Sequence, residues 1–519
     1  MEVNPILLEV FKNRFSAIAE EMGATLQRTA FSANIKERKD FSCAIFNSKG
    51  DMIAQAAHIP VHLGSMPISV KSAIESVDME DGDMVILNDP YKGGTHLPDI
   101  TLIAPVFVDG EVLFYVANRA HHADIGGISS GSMPISTSIF QEGINIPPLK
   151  LVKKGKIDEE ILSFIKNNVR TPEEREGDFK SQISANLTGI KRLKELIESY
   201  SPEEVVFYGE RLLEYSEKMM KSVIKGIPDG VYEAYDFMED DGIERKDIKI
   251  HVEVEIKDDK AIVDFSKTDS QTEGSINAVF SITASAVYYV FRSLIEKDIP
   301  TNAGCFNPIQ IKTKKGTVVD AVFPAPVSAG NVETSQRIVD VVLKALSKAI
   351  PDKIPSASQG TMNNITIGGI DPQTEKTFTY YETIGGGMGA SFHDDGESAI
   401  QSHMTNTMNT PVEALEFQYP LMITRYGIRK GSGGNGKRKG GDGIVREFLF
   451  LVDSEVTVIS ERRKIPPYGL FGGENGEVGK NIFISGDEET VMEGKFHKKV
   501  KAGDRIRIET PGGGGFEKL

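Results

Sequence analysis

NDPYKGGTHLPDITLIAPVFVDGEVLFYVANRAHHADIGG, residues Asn88 to Gly127, carries three of the nine histidines, His96, His121 and His122, together with Asp89, Asp99 and Asp124. Marks of tight turns surround them: Asp89-Pro90, Gly93-Gly94, Leu97-Pro98-Asp99 and Gly126-Gly127. Between the two polar groups runs an apolar pattern of two strands, Ile100 to Val108 and Glu111 to Ala117. They are joined at Asp109-Gly110, a dipeptide that favours a two-residue hairpin turn. Such a hairpin brings His96 and Asp99, at the start of one strand, near His121 at the end of the next. A single His or Asp in a turn is most often a solvated or capping side chain. Imidazole and carboxylate converging from two loops on one rigid hairpin point instead to a divalent-metal site.

On the N-terminal side, Asn4-Pro5 is a cap and first-turn pair that starts a helix running to near Phe31. Leu8, Phe11, Phe15, Ile18, Met22 and Leu26 give it one apolar face. Phe41 to Phe46 and Met52 to Ala56 read as a second hairpin, turned at Lys49-Gly50, with Asp40 just before its first strand and His58 and His62 after its second. Ser65 to Val77 is predicted helical, and Asp83 to Leu87 a short buried strand.

On the C-terminal side the character changes. From Lys150 to about Glu239 charged residues and helical periodicity dominate, and Ser201-Pro202-Glu203-Glu204 is a capping box. Within this run GDFKSQISAN (Gly177 to Asn186) reads as an exposed helix face. Strands return at Ile248 to Ile256 and Ala261 to Phe265, Ala278 to Phe291 is a buried segment, and Val332 to Ile350 a helix after the loop Pro324 to Asn331. Thr377 to Thr383 is a strand ending in Gly-rich GGGMGA, and the last part is mostly short strands. The expected class is therefore mixed α and β (α+β) and multidomain, with antiparallel hairpins, long helices and a β-rich C-terminal region. The expected divisions are a metal-carrying α+β region over 1–149, a helical lobe over 150–243, a central α+β region over 244–410 and the β-rich region over 411–519.

Composition narrows the function. A chain of 519 residues is too long for one core, so about two to four domains are expected. The net charge of −16 argues against nucleic acid, since phosphate contact needs a basic face. Cys43 and Cys305 offer neither a disulfide framework nor a CxxC pattern. The N-terminus lacks a basic n-region, and no apolar stretch is long enough to span a bilayer, so a cytoplasmic protein without membrane contact is expected. Gly431 to Lys437 has the spacing of a phosphate loop, but Arg438 stands where Ser or Thr is needed and no helix follows. Gly385 to Ala390 fits G-x-G-x-x-A without a surrounding βαβ unit. Close backbone approach to a ligand or another chain is the reading left for both runs. His393 with Asp394 and Asp395 reads as a loop.

Several long motifs in order, ERKDFSCAIF (Glu37 to Phe46), HLGSMP (His62 to Pro67), NDPYKGGTHLPD, HHADIGG, GDFKSQISAN, ETIGGGMGA, NTPVEALEFQYPL (Asn409 to Leu421) and PGGGGF, closely resemble the hydantoinase B family over essentially the whole chain. The resemblance implies a two-component reaction. An A-type ATP-binding partner phosphorylates the carbonyl oxygen of a small cyclic amide (a hydantoin, 5-oxoproline or lactam), and the B-type chain completes hydrolysis at a divalent metal. It implies Asp40, His96, Asp99 and His121 as metal ligands, adding Asp40 to the three that the hairpin gathers. His122 and Asp124 become substrate-contact or supporting candidates, and Glu37, Glu382 and Asp124 proton carriers. The donor set suits Mn or Zn first, then Fe or Co. Because the chain ends soon after PGGGGF, the partner is expected on another polypeptide, in a hetero-oligomer. Two competing readings share these residues: the α-type subunit of an acetone- or acetophenone-type ketone carboxylase, and a non-catalytic scaffold subunit.

Overall fold

A computed structural model describes residues 2–56 and 59–519; His58 lies outside the described residues. The first sheet is built from β1 (Phe41–Asn47), β2 (Met52–Gln55), β3 (Met84–Leu87), β4 (Asp99–Val108), β5 (Glu111–His121), β6 (Leu149–Lys153) and β7 (Lys156–Ile157). Their order is β2-β1-β5-β4-β3-β6-β7, antiparallel throughout. The β4–β5 hairpin turns at Asp109 and Gly110, both at positive φ (51° and 87°), as a mirror-image two-residue turn requires. The turn pairs Val108 with Glu111 and Phe107 with Val112; a bulge at Leu113 then shifts the register by one, so that Val106 pairs with Phe114 and Asp99 with His121.

Helices cover both faces of this sheet. α1 (Pro5–Thr29) starts at the Asn4 cap, whose side chain accepts from the Ile6 N–H at 2.9 Å, and α2 (Ala33–Lys36) follows it. α3 (His62–Ser76) begins three residues before the predicted start, which puts His62 at its first turn. α4 (Glu159–Lys166), α5 (Pro172–Ser199) and α6 (Pro202–Lys225) come next. Asn118 of β5 donates to Gln182 and Asn186 of α5, while its neighbour Arg119 donates to Ser65 and Ser69 of α3. Successive strand residues point to opposite faces, so α5 and α3 lie on opposite sides.

That arrangement corrects the reading of GDFKSQISAN as an exposed face. Phe179, Gln182 and Asn186 are buried against the hairpin, and Gln182 and Asn186 donate to the Ile100 and Leu102 carbonyls at 2.9 and 3.1 Å. The polar side chains substitute for water on backbone oxygens that a buried helix would otherwise strand. The run expected as a helical lobe carries strands at both ends, β6 and β7 at one and β8 (Gly230–Asp240) at the other.

β8 joins β9 (Lys246–Lys257), β10 (Lys260–Asp264) and β11 (Ile309–Lys312) in a second sheet, ordered β11-β10-β9-β8. α7 (Phe280–Ser293) packs on α3, so closely that a Cβ on Gly64 would sit 2.7 Å from the Ser285 backbone nitrogen. α8 (Ser335–Leu346) follows a π-helical turn, Gly330–Thr334, and lies on β8 and β9.

β12 (Asn364–Asp371) and β13 (Lys376–Glu382) lead to the short α9 (Val412–Gln418). Then come β14 (Leu421–Arg429), β15 (Gly443–Phe450), β16 (Ser454–Ile459), β17 (Lys480–Ser485), β18 (Glu488–Met492), β19 (Lys495–Val500) and β20 (Arg505–Glu509). They form two antiparallel sheets, β13-β12-β16-β19 and β14-β15-β20-β17-β18. Ile365, Tyr380 and Val458 from one and Phe448, Phe450 and Ile506 from the other share a second apolar core.

The glycine runs are absorbed by this region. A Cβ on Gly387 would lie 2.0 Å from the Gly441 carbonyl oxygen, and one on Gly513 2.0 Å from that of Met388. The same segments exchange backbone hydrogen bonds, Gly441 N–H to Met388, Gly513 N–H to Gly441 and Gly434 N–H to Gly513. The close approach is to the chain's own backbone, and only glycine leaves room for it.

Candidate metal centre

His96, Asp99 and His121 meet on the α3 side of the first sheet, all buried. The hairpin register places Asp99 opposite His121, with Asp99 Oδ1 3.1 Å from His121 Nδ1. His96, in the turn before β4, brings its Nε2 to 3.2 Å from His121 Nδ1 and 3.4 Å from Asp99 Oδ1. Its Nδ1 faces the Ser328 carbonyl at 3.2 Å and donates to it, so the converging Nε2 carries the lone pair. A tetrahedral ion with bonds of about 2.1 Å separates its ligand atoms by roughly 3.4 Å. The three donor atoms therefore fit a divalent cation.

The other oxygen of Asp99 is anchored. Oδ2 accepts from Thr95 Oγ1 and, at 3.3 Å, from Asn331 Nδ2, and His62 Nε2 also stands 3.3 Å away. His62 is held in turn by Ser42 Oγ at 2.9 Å. This leaves Oδ1 free to face the histidines. Burial pushes the Asp99 carboxyl up, but His96, His121 and His62 outweigh it and hold the group well below the usual carboxylate range. Burial lowers His62 and His121; it acts the same way on His96, but there the Asp99 charge and hydrogen bonding outweigh it and raise the imidazole.

Behind His121 the Tyr381 ring is stacked at 4.3 Å and 16°. Its hydroxyl donates to Asn364 Oδ1 at 2.9 Å, and Asn364 Nδ2 donates to Glu333 at 2.8 Å. Glu333 and Asn331 both sit on the π turn, a distortion that often marks functional sites. Burial lifts the Glu333 carboxyl to about 8.

Other sequence candidates lie differently. Asp40 gives its carbonyl to the His121 N–H at 3.0 Å, while its carboxylate is 3.8 Å from Arg38 and stands outside the tight triad. Its charge nevertheless acts on His62, His96 and His121. His122 follows His121 and so points to the opposite face, where it bonds Gln182 at 3.0 Å and packs on Phe179. There burial drops it to about 4. Asp124 is taken up in its own loop, accepting from Gly126, Gly131 and Arg170 backbone N–H groups and pairing with the Arg170 guanidinium at 3.0 Å. Glu382 pairs with Arg446 at 2.9 Å in the second core. Glu37, partly exposed, makes no side-chain hydrogen bond or ion pair among the described residues. His393 is on an exposed loop.

His62, Thr95, Ser328, Asn331 and Tyr381 complete the site, and none of them stands out as a site residue in the sequence. His62 alone carries a usable signal, a histidine between a hairpin and a helix start.

The pattern of the Hydantoinase B/oxoprolinase family matches residues 4–518. The chain belongs to that family. Within it, the chain is 45% identical to an uncharacterized protein of Methanocaldococcus jannaschii, covering 99% of this chain and 91% of that one. It is 41% identical to 5-oxoprolinase 1 of Arabidopsis thaliana, covering 98% of this chain but 42% of the plant protein. The B-type component of a putative D-/L-hydantoinase from Pseudomonas sp. is 31% identical, with 99% and 90% covered. The crystal structure of an ATP-dependent caprolactamase from Pseudomonas jessenii superposes with a TM-score of 0.93 at 28% identity, over 100% of this chain and 92% of that one. An acetone carboxylase structure shares the fold, with a TM-score of 0.92 at 19% identity over 99% and 76%. The mixed α and β, multidomain class expected from the sequence is thus the architecture of the family. No described helix is long and apolar enough to cross a membrane.

Proposed function

We propose that this chain is the metal-carrying component of an ATP-dependent cyclic amidase, hydrolysing the ring C–N bond of a hydantoin, 5-oxoproline or lactam after an A-type partner has phosphorylated the carbonyl oxygen. The observation that carries this reading is the convergence of His96 Nε2, His121 Nδ1 and Asp99 Oδ1, in a hydantoinase B/oxoprolinase chain. The Pseudomonas relative is named as one component of a multi-chain hydantoinase, which supports a partner on a separate polypeptide and hence a hetero-oligomer.

His96, Asp99 and His121 hold the ion in this proposal, Mn or Zn before Fe or Co, with Asp40 as fourth ligand once its carboxylate turns from Arg38. When bound, such an ion lowers the pKa of water and polarises oxygen. Thr95, Asn331 and His62 keep Asp99 in one orientation, and Tyr381 keeps the His121 ring in one plane. Burial of the triad keeps bulk water out. An amide resists attack; phosphorylating its oxygen gives a more electrophilic imidate carbon, to which water adds. The ring nitrogen then leaves, and a second water cleaves the resulting acyl phosphate to carboxylate and phosphate. The departing ring nitrogen needs a proton, and Glu37 is the carrier proposed, since Asp124 and Glu382 are engaged elsewhere and His122 faces away. The carboxylase alternative rests on fold alone, and the intact donor set counts against a scaffold.

Reconstitution with an A-type ATP-binding component tests the proposal. ATP-dependent ring opening of hydantoin, 5-oxoproline or caprolactam, lost in Asp99→Ala, is the expected result. No ring opening, with ATP-dependent fixation of bicarbonate onto a ketone, would overturn it in favour of the carboxylase.

A further inference from the structure

Two of the triad residues belong to a closed ring of contacts. Asp99 Oδ1 meets His121 Nδ1 at 3.1 Å, and Asp99 Oδ2 accepts from Asn331 Nδ2 at 3.3 Å. Asn331 and Glu333 stand two residues apart on the π turn. Residues so spaced on a helical turn point to nearly opposite sides, so one reaches Asp99 while the other reaches the start of β12. There Glu333 Oε1 accepts from the Met362 N–H at 3.1 Å and from Asn364 Nδ2 at 2.8 Å. Asn364 Oδ1 accepts from the Tyr381 hydroxyl at 2.9 Å, and the Tyr381 ring, stacked on His121, closes the circuit.

The ring joins three parts of the chain that are distant in sequence: the β4–β5 hairpin, the π turn and the β12–β13 pair. Its members are all buried. Each part is also fixed from outside the ring. A Cβ on Gly330 would lie 1.9 Å from the Asn277 carbonyl oxygen, and Thr334 Oγ1 donates to the Ile276 carbonyl, so the turn cannot slide. Asn364 Nδ2 gives its other hydrogen to the Ile459 carbonyl at 3.0 Å. The Arg38 guanidinium lies over the Tyr381 ring, 5.0 Å from its centre. Glu333 is the corner at which the turn and the C-terminal sheet are joined. Without its oxygen, two buried donors lose an acceptor, and the plane of His121 and the orientation of Asp99 lose their common reference.

We propose that Glu333 is a positioning residue of the metal centre. Through Asn364 and Tyr381 it sets the plane of the His121 imidazole, and through its own turn it holds Asn331 against Asp99. It touches neither ligand itself. The inference rests on the metal-carrying part of the proposed function and not on the identity of the substrate.

Cobalt(II) is the probe, because its visible absorption reports coordination geometry as well as affinity. The purified chain is titrated with cobalt in competition with a chelator. Glu333→Ala and Tyr381→Phe are each expected to weaken binding about tenfold and to shift the visible bands. Glu333→Gln keeps an oxygen acceptor of the same reach and is expected to restore both to wild type. A ring cut once is already open, so the double variant Glu333→Ala, Tyr381→Phe should bind no more weakly than the weaker single variant. Losses that add in the double variant, wild-type affinity and bands in Glu333→Ala, or Glu333→Gln as damaging as Glu333→Ala, would each overturn the proposal. Should Glu333→Ala fail to fold, Tyr381→Phe decides: wild-type affinity and bands there overturn it equally. Variants that match a cobalt-binding wild type sink the ring and leave the metal centre standing. A wild type that takes up no cobalt sinks both.

Discussion

Asp99 and His121 are directly opposed at the open end of the β4–β5 ladder, and their side chains meet at 3.1 Å on the sheet face turned toward α3. The two-residue turn alone would put Asp99 opposite Ala120; the one-residue bulge at Leu113 shifts the register and sets that meeting.

Metal content is the first consequence. The purified wild-type chain is expected to hold about one divalent ion, by elemental analysis, and His96→Ala, Asp99→Ala and Asp40→Ala to lose it. Full retention in both His96→Ala and Asp40→Ala would remove the ligand set; retention in Asp40→Ala alone would reduce it to the triad.

The groups that anchor Asp99 Oδ2 should act on affinity without being ligands. Thr95→Val, Asn331→Ala and His62→Ala are each expected to lower metal affinity by about 10–100-fold, measured by competition with a chelator. Unchanged affinity in all three would mean that Asp99 needs no anchoring.

Glu142 gives a pH test. It accepts from Ser136 Oγ and from the Val327 and Ser328 N–H groups, tying down the loop whose carbonyl orients His96. Burial raises its carboxyl from 4.5 to about 7. A raised folded pKa means that the unfolded chain ionises first, so this contribution to stability is complete below pH 4.5 and is lost as pH rises to 7. Glu142→Gln cannot ionise. Its stability relative to wild type should therefore move in the variant's favour by about 3 kcal/mol between pH 4.5 and 8, by urea denaturation. A difference that stays constant with pH would contradict the shift.

The glycine packing predicts a contrast. Gly513→Ala would place Cβ 2.0 Å from the Met388 carbonyl oxygen, against backbone that cannot step aside. A loss above about 3 kcal/mol is expected, whereas Gly427→Ala, with open space around it, should stay within about 0.5 kcal/mol. Equal thermal stability of the two variants would contradict the close packing.

Much of this was legible locally. Asp109-Gly110 between two apolar runs specified the hairpin, and strand alternation put His121 and His122 on opposite faces, but the one-residue bulge at Leu113 that sets Asp99 opposite His121 was not legible. Strands whose local pattern is weak were not legible. β14 exposes most of its residues, and β12 is interrupted by Gly368-Gly369, where a side chain on Gly368 would collide with Ser130. By itself the sequence determined the hairpin, the N-terminal helix and the nearness of His96, Asp99 and His121, because turn chemistry and side-chain period act over a few residues. Only the tertiary structure decided that His62, Ser328, Asn331 and Tyr381 surround that triad, that GDFKSQISAN is buried and that the glycine runs pack on one another. Those contacts join segments up to more than two hundred residues apart, and their geometry comes from the packing of layers rather than from any local preference of the chain.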